Sequence, residues 1–93
     1  MTLLLKDPAA ALDYAVDWGA EYLDGDAIAT SSWTVTPVEV GGITIVDNSF
    51  DRSVATVTAD GGVVGHVYQL TNNVVMTSGL IDSRSVVLRV EKR

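Results

Sequence analysis

The chain has 93 residues, 47% of them hydrophobic and 19% charged, with a net charge of −6 and no cysteine. That length suits one small domain spanning residues 1–93 and that composition excludes disorder. The absence of cysteine leaves any sandwich without an inter-sheet disulfide and rules out thiolate chemistry, while the negative charge disfavours a nucleic-acid partner.

Thr2 to Lys6 is a short apolar run stopped by Asp7-Pro8, which predicts a brief edge strand or an N-terminal arm over residues 1–8. Leu3-Leu4-Leu5 is too short for a signal-peptide core or a membrane span, so no targeting segment and no membrane partner are expected. Leu12, Tyr14, Val16 and Trp18 alternate with polar or small residues, the period of a half-buried strand with its aromatic side inward. Ala20 to Leu23 reads as one helical turn and Asp24-Gly25-Asp26 as a reverse turn. Ile28 to Pro37 is the next predicted strand, with a slip of the pattern at Ser31-Ser32 that suggests either a bulge or the true strand start there. On it, Trp33 is expected to be buried face to face with Tyr68 between two antiparallel layers, so that its truncation costs roughly 3–5 kcal/mol.

After Gly41-Gly42, Ile43 to Val46 reads as a short connecting strand closed by Asp47-Asn48-Ser49, and Ser53 to Ala59 as the strand after it. Gly61-Gly62-Val63-Val64-Gly65-His66-Val67-Tyr68 then has the form of a corner at which the chain passes from one sheet to the other. The Tyr68 ring is expected in the core, with its hydroxyl satisfying backbone groups just upstream. Leu70, Asn72, Val74 and Met76 continue the inward set. Asn72 is the odd member, and its amide must find partners through a bulge or neighbouring backbone. Leu80 to Ser83 reads as a loop, and Ser85 to Glu91 as the closing strand with Val86, Leu88 and Val90 inward. Together these elements predict an all-β, immunoglobulin-like antiparallel sandwich of about seven strands, with Tyr68, Trp33, Leu70, Val16 and Leu88 in its core.

Residues that carry chemistry are scarce. His66 is the sole histidine, no Gly-x-Ser-x-Gly elbow is present, and the glycine-rich corner lacks the lysine and helix of a phosphate loop. Neither an enzyme nor a cofactor is expected. Asp24-Gly25-Asp26 and Asp47-Asn48-Ser49-Phe50-Asp51 offer oxygen ligands suited to calcium, but they are also ordinary turn residues, and no metal site is assigned to them. Trp18 or Tyr22, if exposed at an end of the sandwich, would suit a carbohydrate. Charge is uneven along the chain: nine acids face only Lys6 up to Asp51, and basic residues predominate from Arg52 onward. That pattern allows an acidic face to meet a basic one on another copy, giving a homo-oligomer.

Several segments in order carry a resemblance: Lys6-Asp7-Pro8, Leu12 to Trp18, Gly25-Asp26-Ala27-Ile28, Ser32-Trp33-Thr34-Val35, Ala55-Thr56-Val57, the Gly61 to Tyr68 corner, Thr71-Asn72 and Asp82-Ser83-Arg84-Ser85. This set resembles the phage fibre–tail adaptor proteins of tailed bacteriophages and prophages. The resemblance implies a non-catalytic virion component, made in the host cytoplasm, that binds other phage structural proteins near the tail or neck. Placement on the capsid surface as a decoration protein, or a host- or carbohydrate-binding role, stand as alternatives.

Overall fold

The computed structural model describes residues 3–19 and 26–92. Seven strands are present: β1 (Leu3–Lys6), β2 (Leu12–Asp17), β3 (Ile28–Thr36), β4 (Ile43–Phe50), β5 (Val54–Gly61), β6 (Val67–Met76) and β7 (Ile81–Val90). They form a four-stranded sheet in the order β1-β7-β6-β3 and a three-stranded sheet in the order β2-β5-β4. With β2 to β7 taken as strands B to G, these orders are those of an immunoglobulin-like sandwich. The first strand lies against β7 and runs parallel to it, whereas every other pairing is antiparallel. The expected helical turn over 20–23 lies outside the described residues, as do Asp24 and Gly25.

Period-two alternation accounts for β5 and β6. Ala55, Val57 and Ala59 on one strand, and Tyr68, Leu70, Asn72, Val74 and Met76 on the other, are all buried, with more exposed residues between them. The core divides into two joined parts. One gathers Ile43, Val57, Ala59, Tyr68, Leu70, Leu88 and Val90, and the other Val16, Trp18, Ile28, Ala55, Val74 and Met76. Trp33 bridges them but is only half buried. It stands on the same sheet as Tyr68, opposite Asn72 in register, so the two rings do not face each other across the layers. The fully buried indole is that of Trp18. Leu12, expected inward, is 39% exposed at the start of its strand.

Two strand limits and the position of one irregularity differ from those read in the sequence. The irregularity of β3 falls between Ile28 and Thr30, not at Ser31-Ser32. In β4 a bulge between Ile45 and Asp47 admits Val46 as an extra residue. Asp47, Asn48 and Ser49 therefore continue the ladder against β5 where a turn was expected. Strand β7 begins at Ile81, with Asp82 and Arg84 opposite Val74 and Asn72 on the core side. Polar residues at inward positions disguised this half of the strand as a loop.

Lys6 stands at an inward position of β1 and has no solvent-exposed surface. Its Nζ donates to the carbonyl oxygens of Asp7, Ala10 and Gly61 at 2.9, 2.5 and 2.7 Å, so all three ammonium donors are used. Burial pushes the Lys6 ammonium below its usual value, against the opposing pull of Asp60 and Asp7. The cation pins β1 and the turn after it to the end of β5.

Candidate interaction surfaces

The β5–β6 corner is built as its residues dictate. Gly62 adopts φ +113°, and a Cβ there would lie 2.5 Å from Val90 Cγ2, so only glycine lets the chain pass this close to β7. The Val63 amide donates to the Tyr68 hydroxyl at 3.0 Å, five residues upstream of the ring, as expected for such a corner. The hydroxyl in turn donates to the Glu39 carboxylate, which also bonds His66 Nδ1 at 2.8 Å. These bonds to Tyr68 and His66 hold the Glu39 carboxyl below the usual carboxylate range. Burial, reinforced by Glu39, pushes the Tyr68 phenol up.

Tying Glu39 back to the corner leaves its neighbours outward. Val38 and Val40 are 87% and 101% exposed, and Val64 and Val67 stand half exposed beside the same corner. The opposite end of the sandwich carries a second apolar group, with Leu80 and Ile81 at 56% and 78% and Phe50 at 43%. The molecule measures 42 × 20 × 17 Å, so the two groups cap a rod. Exposed apolar clusters of this kind mark contact sites on soluble proteins.

Behind the second end is a polar network that the sequence did not announce. Trp18 Nε1 donates to Asn72 Oδ1 at 2.8 Å, and Asn72 Nδ2 donates to Ser31 Oγ and to the Ser32 carbonyl at 2.8 and 3.0 Å. Asn72 is thus satisfied largely by side chains, with the β6 register unbroken. The Arg84 guanidinium lies 4.8 Å above the Trp18 ring, a cation–π contact. Beside it, Trp18, Asp26, Arg52 and Met76 line a cavity of about 10 Å³, room for one water and not for a metabolite.

Asp26 ties the entry of β3 to the β6–β7 turn. Its carboxylate accepts from the Thr77 hydroxyl at 2.8 Å, the Ser78 hydroxyl at 2.7 Å and the Ser78 amide at 3.1 Å. These bonds lower its pKa from 3.8 to about 2. Between those two values the unfolded chain binds a proton that the folded chain does not, so stability from Asp26 is lost as pH falls through this window. The Asp26→Asn variant is expected to show a flatter fall in melting temperature from pH 3.8 to about 2 than the parent chain. Melting curves followed by circular dichroism across that range check this; identical slopes would contradict it.

Among the described residues suggested for calcium, Asp26 and Asp51 have their carboxylates engaged by local donors. Asp51 Oδ1 accepts from the Ser53 and Val54 amides, each at 2.8 Å, and Asp47 lies in β4. Among the described residues no group of three or more His, Asp or Glu side chains could hold a metal ion. Trp18, offered as an exposed platform for a sugar, is wholly buried, and Tyr22 lies outside the described residues.

Charge is arranged by face as well as by sequence. Asp13, Asp17, Asp47 and Asp60 all lie on the outer face of β2-β5-β4, where Thr58 stands between Asp13 and Asp47 and donates to Asp13 at 2.5 Å. Three of the described basic residues are engaged elsewhere. Lys6 is buried, Arg84 covers Trp18, and Arg89 is paired with Glu91 at 2.5 Å. The outer face of the larger sheet is uncharged over most of its extent, with Thr34, Thr36, Gln69, Thr71 and Ser85 along its rows.

No curated protein matches the chain. A family model does, over residues 6–89; it describes the podophage GP4 fiber-tail adaptor protein gp77.

Proposed function

Since the chain belongs to the podophage GP4 fiber-tail adaptor (gp77) family and is a phage structural protein, we propose that it is a non-catalytic strut bridging two larger virion proteins near the tail or neck. Each partner is held at one end of the rod. The observation that carries this is the pair of apolar caps, Val38, Val40 and Val64 at one end and Leu80 and Ile81 at the other, on a body 42 Å long. A link needs two separate contact sites, and apolar residues rimmed by polar ones supply affinity at each. The acidic outer face of β2-β5-β4 adds a preference for a basic neighbour. Among the described residues Lys6 is buried, Arg84 covers Trp18 and Arg89 pairs with Glu91, which favours a different protein over a second copy as that neighbour.

Co-purification from tailed particles tests the assignment. Val40→Asp and Ile81→Asp alter largely exposed positions and are expected to leave the fold intact. Each should release a different virion protein while the chain keeps its hold on the other. Loss of the same partner by both variants, or of none, would contradict the two-ended link.

A further inference from the structure

We propose that the free edge of β3, with the apolar flank between β3 and β4, takes an extended segment of a partner virion protein as an added strand. This deepens the adaptor assignment and rests on it. The occupant is a stretch with apolar residues at alternate positions and no acidic side chain.

Three observations converge on this edge. First, β3 ends the four-stranded sheet, with β6 as its one strand neighbour among the described residues. The bonds from the Met76 amide to the Leu80 carbonyl and from the Val90 amide to the His66 carbonyl fix the phase of the β6–β7 ladder. In that phase the even-numbered residues of β6 bond β7 and the odd-numbered ones bond β3. Thr30, Ser32, Thr34 and Thr36 are therefore paired to β6, and the backbone groups of Ser31, Trp33 and Val35 point to the open side.

Second, the edge carries none of the usual protection. From Ile28 to Thr36 there is no charged residue and no proline, and the one register shift lies at its first residues, before Ser31. The open half of β7 differs, since Asp82 and Arg84 stand there at inward positions.

Third, the core is not closed along this flank. Trp33, Val35 and Ile45 are half buried. Phe50 pairs with buried Ala55, and so stands on the core side of its sheet, yet is 43% exposed. The indole Nε1 of Trp33 is shielded from water and has no hydrogen-bond partner among the described residues. A strand laid on β3 would bond Trp33 and Val35 through its backbone and place alternate side chains against Trp33, Val35 and Phe50. This is the chemistry by which sheets recognise extended peptides.

The charge pattern excludes an acidic occupant. Asp51 directly follows Phe50 at the end of β4, and the chain as a whole carries a net charge of −6.

The test uses Val35→Pro, with Val35→Ala as control for the lost side chain. The Val35 amide makes no ladder bond to β6, so proline is tolerated there by the fold but blocks strand addition. Both variants are supplied in trans to a podophage lacking this chain. Val35→Pro is expected to match Val35→Ala in melting temperature and to enter particles about tenfold less. Equal incorporation of the two would overturn the proposal. Should Val35→Pro fail to fold, hydrogen exchange of the Trp33 and Val35 amides decides: protection gained by the parent chain in particles supports the added strand, and unchanged fast exchange overturns it. Absence of the parent chain from particles would instead refute the adaptor assignment, and the proposal with it. A dimer of the isolated chain that Val35→Pro abolishes would make the occupant a second copy and overturn the partner strand.

Discussion

Replacing Trp18 with alanine is expected to lower the unfolding free energy by about 3–5 kcal/mol, a large part of the stability of a domain this small. Trp18 has no exposed surface, lies in the core half formed by Val16, Ile28, Ala55, Val74 and Met76, and supports Arg84 on its ring. Truncation opens a cavity and strands Asn72 Oδ1, which loses its indole donor. Trp18→Phe separates the two effects. It retains most of the packing and loses only the N–H, so about 1–3 kcal/mol is expected from it. Urea denaturation gives both values directly; a cost for Trp18→Ala no greater than for Trp18→Phe would show that packing contributes little at this site. Trp33→Ala, on a half-buried residue, is expected to cost less than Trp18→Ala.

Lys6→Met is the second large change, with an expected loss of about 2–4 kcal/mol. Methionine matches the length of the aliphatic stem and removes the buried charge, which by itself relieves a desolvation cost. Against that, the carbonyl oxygens of Asp7, Ala10 and Gly61 lose their shared donor at once. Hydrogen bonds from a charged donor contribute more than neutral ones, so the loss outweighs the relief. The effect should concentrate at the N-terminal end. Amides of β1 and of the Gly61–Gly62 corner should exchange faster in Lys6→Met, while those of β6 stay protected. A variant as stable as the parent, with unchanged exchange in β1, would mean that the three bonds merely compensate the burial of the charge.

The strands and their inward faces were legible from alternation where inward residues are apolar. Strands β5 and β6 and the Tyr68 corner follow their pattern almost residue for residue. What was hidden lies where an inward position is polar. Lys6 follows three leucines with no period to show which face it takes, and only the fold brings three carbonyls to its ammonium. Asp82 and Arg84 made the first half of β7 look like a loop, though Arg84 is placed inward by its contact with Trp18. In β4 the extra residue Val46 shifts the phase, and the Asp-Asn-Ser run after it carries turn chemistry within a strand. The contact surfaces were the least legible feature. Val38 and Val40 flank Glu39, and nothing local says that Glu39 is drawn back to Tyr68 and His66 while the valines turn to solvent. The separation of acids and bases along the chain translates only in part into faces: Asp13, Asp17, Asp47 and Asp60 share one, whereas Lys6 and Arg84 stand at inward positions and Arg89 at an outward one.

The proposed bridge joins two different virion proteins through the two ends of this rod. The chain has no cysteine of its own, so single substitutions Val40→Cys and Ile81→Cys place one thiol at each cap. Cross-linking of assembled particles from these thiols, read by mass spectrometry, tests the claim most directly. Val40→Cys is expected to capture one virion protein and Ile81→Cys a different one. Capture of the same protein from both caps, or only of further copies of this chain, would contradict it.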